Sequence, residues 1–328
     1  MSMKNLIASL PNHIREALQI ADNTTLNPYN KDIRQVLITG LGGSGIGGSI
    51  VAELVSDTCA VPVKVNKDYH LPAFVNENTL VIASSYSGNT EETLAAMEEA
   101  IKRGAEVALI TSGGKALELA KANNYNHIVV PGGNPPRSML GYSLTLQFVV
   151  LNHYGLIPNY RETLEKAADL LDAEQADIKT QSEALAHKMQ HHIPAIYVVD
   201  GFEGVAIRLR QQLNENSKML CWHAVVPEMN HNELVGWSGG DDNIYALFMR
   251  NELDYERNQK RIEINKGIIS QHTKNMSEVW SKGSSPIENA MYLIHFGDWL
   301  SYYLSELNQV DIMDIKAIDH LKSELAKF

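Results

Sequence analysis

The sequence predicts an α/β protein of two tandem, doubly wound domains, each a parallel sheet flanked by helices. Short apolar runs alternate with longer segments of helical period, which is typical of parallel sheets with helices on both faces. The pattern then restarts, because the strand and glycine turn at Ala195–Gly201 resemble those at Val36–Gly40. With 328 residues, of which 44% are hydrophobic, the chain is long enough for two such domains.

The first half opens with an amphipathic segment at residues 4–21 that predicts a helix. Five short apolar runs follow, and each predicts a strand because polar or glycine-containing segments bound it. A helix from about 45 to 56 follows the glycine-rich loop after the first strand, and two longer helical patterns end this half. The predicted strands are Gln35–Thr39, Val61–Val65, Leu80–Ser84, Glu106–Thr111 and Ile128–Val130, and the closing helices are Tyr142–His153 and Tyr160–His191.

The second half repeats this order in degenerate form. Its first strand leads into a helix, and a later apolar run resembles the strand at Leu80–Ser84 with its following helix. Two further helical segments close the chain. The predicted elements are the helix Glu203–Leu213, the strand Asn243–Met249, the helix Tyr255–Gly267 and the closing helices Pro286–Leu307 and Ile315–Ala326. This duplication predicts a first domain at residues 1–155, a helical connection at 156–192 and a second domain at 193–328.

The most informative segment lies at residues 83–93, where a buried strand meets a helix through a hydroxyl-rich turn. Backbone N–H groups and short hydroxyls converge there, where the helix N-terminus favours an anion. The turn has no lysine, so it does not look like a nucleotide P-loop. Ordinary N-capping by Ser87 or Thr90 is the alternative, although a cap needs one hydroxyl and this turn offers several. In the second half Arg250–Leu253 stands in its place, which predicts one phosphate site per chain.

This segment resembles the phosphosugar-binding motif of sugar isomerase (SIS) domains. Further segments, spread in order over nearly the whole chain, resemble the bifunctional phosphoglucose/phosphomannose isomerases of that family. They are Gly40–Gly48, Pro135–Ser138, Asn214–Lys218, Pro227–Glu233 and Leu321–Lys322. The resemblance implies two SIS-like domains. It also implies a cofactor-free isomerase that interconverts glucose 6-phosphate, and mannose 6-phosphate, with fructose 6-phosphate through an enediol(ate).

The phosphate of such a substrate needs short hydroxyls and close approach of the main chain. In the family that the chain resembles, the residues at the matching positions hold the phosphate. The predicted phosphate-binding residues are Gly43, Ser44, Ser85, Ser87, Gly88 and Thr90. For the glycine run, close packing of the helix on the strand is the structural alternative.

The resemblance also implies a catalytic set. Glu215 would move the proton between C1 and C2, and it lies near a helix end that ordinarily prefers cations. Arg137, stiffened by two preceding prolines, would lie near the enediolate. His231 would open the sugar ring from the neighbouring subunit of a dimer. Lys322 would assist that step. For each residue, a solvated surface side chain is the alternative.

Two further features concern the residues around His231 and the segment before the C-terminal helix. Glu228 and Glu233 flank His231, where they either orient it or form a solvated face. The family commonly has a Pro-Thr-Pro-like segment before its C-terminal helix, whereas this chain has Ile312–Asp314. A threonine contact to the sugar is therefore not expected here.

Several other sites and partners are argued against. The net charge of −11 disfavours nucleic acid, and no run approaches the roughly 18 apolar residues of a membrane span. The distant Cys59 and Cys221 predict small buried side chains in a reducing cytoplasm rather than a disulfide. The start of the chain lacks the apolar core of a signal peptide.

Two ligand motifs are weighed and set aside. His187 and His191 have the i, i+4 spacing of a metal site, but a solvated helix end before Pro194 is preferred, and no Cys/His cluster has zinc spacing. No metal is therefore predicted. Gly40–Gly45 fits a dinucleotide fingerprint, yet Asp57 is the only acid near the expected ribose position.

The predicted partners are a sugar phosphate and a second copy of the chain, in a homodimer with shared active sites. The main support for the homodimer is that the family uses a histidine from the neighbouring subunit. The aromatic segment Pro286–Leu307, with Trp299, Tyr302 and Tyr303, is a second indication of a dimer interface. The rival functions are another phosphosugar isomerase and a non-catalytic phosphosugar sensor. Such sensors usually carry a DNA-binding domain or lack the Glu/His pair, whereas this chain keeps Glu215 and His231.

Overall fold

The computed structural model describes all 328 residues and contains two parallel sheets surrounded by helices. The α/β prediction is confirmed. The strands are β1 Gln35–Thr39, β2 Val63–Asn66, β3 Thr79–Ser84, β4 Glu106–Thr111, β5 Asn126–Val129, β6 Ile193–Val199, β7 Trp222–Val226, β8 Ile244–Arg250 and β9 Met276–Trp280. The helices are α1 Met3–Ala8, α2 Leu10–Asp22, α3 Gly42–Leu54, α4 Glu91–Lys102, α5 Gly114–Ala122, α6 Leu140–His153, α7 Arg161–Met189, α8 Glu203–Glu215, α9 Glu233–Gly236, α10 Glu256–Ile269, α11 Pro286–Leu307 and α12 Lys316–Leu325.

The two sheets share one strand order. The first runs β2-β1-β3-β4-β5 and the second β7-β6-β8-β9, with every pairing parallel. In each half the first strand therefore lies between the second and the third, and a helix follows it directly: α3 after β1 and α8 after β6. This correspondence agrees with the internal duplication that the sequence predicts.

Alternate residues of the strands face different layers, as the two-residue period of a strand requires. In β1, Val36 and Ile38 face a central core between the sheets, while Leu37 faces an outer core under α4 and α5. In β6, Ile196 and Val198 face the same central core, and Tyr197 faces a third core under α10. The inner strands β1, β3, β6 and β8 are buried on both faces, which explains why they read as continuous apolar runs.

Helices fill the space between the sheets, and the largest contact among them is that of α7 with α11. Trp299 of α11 is fully buried there and Tyr302 nearly so, with the Lys179 ammonium 4.6 Å from the centre of a Trp299 ring. The aromatic segment thus forms core within one chain. It gives no support of its own to the predicted homodimer.

The sequence does not predict strands β7 and β9, whose residues are mostly half-buried and form no long apolar run. Element boundaries also differ from the sequence-based expectations in a few places. The predicted opening helix is two helices, because the chain turns at Ser9 just before Pro11, whose nitrogen carries no hydrogen to donate. Helix α3 begins at Gly42, inside the glycine-rich loop rather than after it. Cys59 and Cys221 are free thiols, as expected, but both are half-buried rather than fully buried.

The His187/His191 pair and Asp57 lie at the ends of helices α7 and α3. Helix α7 ends at Met189, and His191 lies beyond it with φ of 69°, so His187 and His191 do not share a helix face. Asp57 lies in the turn after α3, away from any strand end. None of the helices combines the length and apolar character that crossing a membrane requires.

Candidate active site

The hydroxyl-rich turn joins β3 to α4 and closes on itself through its own side chains. Ser85 Oγ accepts a hydrogen bond from Gly88 N at 3.1 Å and donates one to Thr90 Oγ1 at 3.0 Å. Ser87 Oγ accepts from Asn89 N at 3.2 Å. Thr90 occupies the N-cap position of α4, but its side chain makes no capping hydrogen bond. The first turn of α4 therefore keeps N–H groups that no side chain caps, contrary to the simple N-capping alternative.

Gly88 is required at the tip of this turn. Its φ is 66°, in the left-handed region, and a Cβ there would lie 1.8 Å from the Gly113 carbonyl oxygen. Any side chain would push the turn away from the loop after β4.

The glycine-rich loop between β1 and α3 lies beside this turn. Ser44 Oγ accepts a hydrogen bond from Tyr86 N at 3.0 Å, which joins the two loops directly. A Cβ on Gly43 would lie 2.9 Å from both the Arg137 Cα and the Pro136 carbonyl oxygen. Gly43 thus lets the start of α3 pack against the turn that carries Arg137.

Arg137 is buried, and every nitrogen of its guanidinium has a partner from the second half of the chain. Nε donates to Asn216 Oδ1 at 2.8 Å, and Nη2 donates to the Ile312 carbonyl at 2.6 Å. Nη1 lies 3.3 Å from Glu215 Oε2. Burial lowers the pKa of Arg137, and the Glu215 carboxylate opposes that shift. The structure therefore brings Arg137 and Glu215 together, as an ion pair.

Glu215 is the last residue of α8, two residues beyond the helix end expected from the sequence. Its side chain is 31% exposed, so one side faces Arg137 while the remainder is open. A partly exposed carboxylate beside a buried guanidinium can accept a proton from a bound molecule while the guanidinium faces developing negative charge.

A second buried ion pair supports this arrangement. Arg208 of α8 donates to the Arg137 carbonyl oxygen at 2.6 Å and pairs with Asp298 of α11 at 3.0 Å. Gln212 donates to the other Asp298 oxygen at 2.8 Å. Burial raises the pKa of Asp298, and its hydrogen bonds with Arg208 and Gln212 oppose that shift. These contacts fix α8 against α11 and hold the backbone of Arg137.

The segment that departs from the family pattern also contacts the site. Besides the Ile312 carbonyl on Arg137, the Asp314 carbonyl accepts from Lys218 Nζ at 2.8 Å. Lys218 also donates to the Glu215 carbonyl, and its φ of 57° places it in the left-handed region. Main-chain carbonyls of residues 312–314 thus bind the two cations beside Glu215.

His231 and Lys322 are not brought to this cluster within one chain. His231 ends a short 3-10 turn after β7, is exposed, and makes no side-chain hydrogen bond or ion pair. Lys322 is exposed on α12, a helix with no buried residue. Neither glutamate beside His231 touches it: Glu228 accepts from Asn232, and Glu233 accepts from Tyr197 and Trp222.

Sequence reasoning did not single out four residues that hold the cluster together. Asn216 and Arg208 contact Arg137, and Asp298 contacts Arg208. Lys218 contacts the carbonyl oxygen of Glu215, the last residue of α8. A signal did exist for two of them. Arg208 and Asp298 are charged residues within apolar helical runs, which is where buried ion pairs are found.

Comparison with known families gives two matches along the chain. Residues 31–155 match the model described as the SIS domain. Residues 178–325 match that described as the bacterial phospho-glucose isomerase C-terminal SIS domain. Together the two matches contain all the predicted site residues.

Whole proteins are similar over nearly their full length. The bifunctional phosphoglucose/phosphomannose isomerase of Caldicellulosiruptor bescii is 39% identical over 98% of each chain. The protein of the same name from Thermoplasma acidophilum is 40% identical over 89% of each. Among solved structures, a putative phosphosugar isomerase from Clostridium difficile superposes with a TM-score of 0.78 over 98% of each chain at 18% identity, which shows the shared fold.

Proposed function

The chain belongs to the SIS-domain family of bifunctional phosphoglucose/phosphomannose isomerases, and we propose that it interconverts glucose 6-phosphate and mannose 6-phosphate with fructose 6-phosphate. The observation that carries this is the pairing of Glu215 with Arg137 at 3.3 Å, beside the loop of Gly43 and Ser44. A base and a cation at that distance suit proton transfer between C1 and C2 with stabilisation of the enediolate. The proposed scheme uses side chains and main-chain groups alone.

The phosphate of the substrate is assigned to the two joined loops. Gly43, Ser44 and Gly88 supply main-chain N–H groups or close approach, and Ser85, Ser87 and Thr90 supply hydroxyls. The uncapped start of α4 adds the favourable end of a helix dipole. Binding energy at the phosphate then positions the reactive carbons near Glu215.

Glu215 is assigned as the base. It takes the proton from the carbon next to the carbonyl and returns it to the neighbouring carbon, while Arg137 faces the oxygen that gains negative charge. Glucose and mannose 6-phosphates differ only at C2 and give the same enediol. A site that tolerates both orientations of the C2 hydroxyl needs no second catalytic set.

Ring opening is assigned to His231 of a second copy, in a homodimer with shared sites. The supporting observation is that His231 is exposed and without partners in its own chain, while the apolar side chains of Leu220 and Val235 on the same half are 86% and 76% exposed. Burial of these exposed apolar side chains against a second copy would be favourable. Lys322 is proposed to assist from the exposed helix α12.

The first experiment tests the activity itself. Purified protein is given fructose 6-phosphate, and glucose 6-phosphate and mannose 6-phosphate are measured separately through coupled dehydrogenases. We expect both aldoses to form, because they share the enediol. The absence of both products, with folded protein, would contradict the proposed function; formation of one alone would contradict the dual specificity.

The phosphate assignment predicts the behaviour of the double variant Ser87→Ala/Thr90→Ala. We expect KM for the sugar phosphate to rise strongly while the protein stays folded, because the hydroxyls contact the phosphate and not the reacting carbons. The matched control is Thr180→Ala/Ser270→Ala, which removes two hydroxyls bonded only to carbonyls of their own helices. An unchanged KM in the folded variant would refute the assignment.

The assignment of the base predicts that Glu215→Gln loses about 10²–10⁴-fold in kcat, since it keeps the shape and removes the basicity. The direct measurement is deuterium incorporation at C2 of the aldose formed in heavy water. Glu162→Gln, fully exposed on α7, is the control for loss of one carboxylate. If C2 exchange persists at the wild-type rate in Glu215→Gln, another residue is the base.

The shared site predicts complementation between two inactive chains. A heterodimer of Glu215→Gln and His231→Ala has one site with both changes and one with neither. Mixing and reassociating equal amounts should therefore restore about a quarter of the wild-type activity, because half of the randomly formed dimers are mixed. Mixed dimers that form and stay inactive would show that His231 serves its own chain or takes no part.

A further inference from the structure

Helices α3 and α8 run antiparallel in contact, one from each half of the chain. The start of α3 carries Gly43, which packs on Arg137, the partner of Glu215 at the end of α8. At the opposite ends, Glu53 in the last turn of α3 meets Gly204 in the first turn of α8. The substrate-binding loop and the proposed base are therefore at one end of a helix pair whose other end is joined by Glu53.

The contact at that other end is a helix cap supplied from a different helix. Both oxygens of the Glu53 carboxylate accept from Gly204 N, at 2.9 and 3.0 Å. Helix α8 has no side-chain cap of its own, so Glu53 provides the negative group that its N-terminus favours. A Cβ at Gly204 would lie 2.9 to 3.1 Å from atoms of Ile50, including its backbone nitrogen, so the two helices are as close as they can be.

The internal duplication allows the starts of α3 and α8, which occupy equivalent positions in the two halves, to be compared. Helix α8 occupies in the second half the place that α3 occupies in the first, directly after the first strand of the sheet. The start of α3 forms part of the proposed substrate site, whereas the start of α8 is occupied by the carboxylate of Glu53. The second half thus uses its helix N-terminus to dock the first half.

We propose that Glu53 is a positioning residue for Glu215, which sets where α8 lies along α3 and thereby where the Glu215 carboxylate lies relative to the bound sugar. This rests on the proposed function, in which Glu215 is the base. Arg208 and Gln212 fix α8 to α11 and to the Arg137 backbone, but among the side-chain hydrogen bonds only that of Glu53 joins α8 to α3. A rigid helix transmits a shift at its first turn to its last residue.

The buried negative charge on Glu53 lowers the stability of the folded chain. Burial raises its pKa to about 7, and the nearby carboxylates of Glu203 in α8 and Asp200 before it act in the same direction. The Gly204 N–H and Lys67, which follows β2, act in the opposite direction. His223 of β7 bonds to Glu203 through one ring nitrogen and to Arg210 of α8 through the other.

The sign of the effect on stability follows from this shift. The folded chain binds the Glu53 proton more tightly than the unfolded chain, so this group lowers the free energy of unfolding as the pH rises from about 4.5 to about 7. Glu53→Gln removes that loss. A residue kept only for stability would destabilise the protein when substituted, whereas here the uncharged isostere should be at least as stable as wild type at pH 8.

The experiment compares Glu53→Gln, Glu53→Ala and wild type for kcat, KM and unfolding midpoint between pH 6 and pH 8.5. We expect kcat at pH 8 to fall about tenfold or more in Glu53→Gln with KM within twofold. The neutral amide offers the start of α8 one acceptor oxygen without charge, so α8 shifts along α3 while the phosphate loops do not. Its unfolding midpoint at pH 8 should equal or exceed that of wild type. In Glu53→Ala, added formate or acetate should restore part of kcat by occupying the vacated helix N-terminus. Asp57→Asn, an exposed acid just after α3, is the matched control and should behave as wild type.

The outcomes separate the two proposals. Wild-type protein without turnover of fructose 6-phosphate contradicts the proposed function. An active wild type with an unchanged kcat in folded Glu53→Gln contradicts only the positioning role, as does a KM that changes as much as kcat. A Glu53→Ala variant that does not fold leaves the decision to Glu53→Gln, which keeps the shape of the side chain.

Discussion

The buried guanidinium of Arg137 is the group on which the arrangement of this protein depends. A charge removed from water must be fully paired, and here Asn216, the Ile312 carbonyl and Glu215 share that task. All three belong to the second half of the chain, while Arg137 belongs to the first. The two halves are therefore joined through one polar cluster, and the proposed base is one of its members.

Helices α8 and α11 extend the polar cluster around Arg137 into the core. Arg208 binds the Arg137 carbonyl and reaches Asp298 of α11, so the cluster continues into the core between the sheets. Each partner that is satisfied also orients the next, as expected of a buried polar network. Helix α8 is held at three places along its length, by Glu53 at its start, by Arg208 and Gln212 in its middle, and by Glu215 at its end.

The duplicated fold explains how two similar halves came to do different work. In both halves a helix, α3 or α8, directly follows the first strand of the sheet, with the helix N-terminus at the carboxyl edge. In the first half that N-terminus lies beside the hydroxyl-rich turn after β3. In the second half Arg250–Leu253 stands in place of the hydroxyl turn, and Glu53 occupies the start of α8. The same helix position is thus assigned to substrate binding in the first half, under the proposed function, and to contact with the first half in the second.

The sequence by itself determined the fold class, the order of the elements in the first half and the hydroxyl turn at Ser85–Thr90, because period and turn chemistry are local properties. It missed strands β7 and β9, the break at Ser9 and the early start of α3, where local signals were weak. Only the tertiary structure decided what surrounds Arg137, since Asn216 and Ile312 lie 79 and 175 residues away along the chain. It also decided that His231 and Lys322 stay exposed and apart from Glu215 in one chain. Contacts between residues so far apart in the sequence depend on how the elements pack, which a local sequence pattern does not predict.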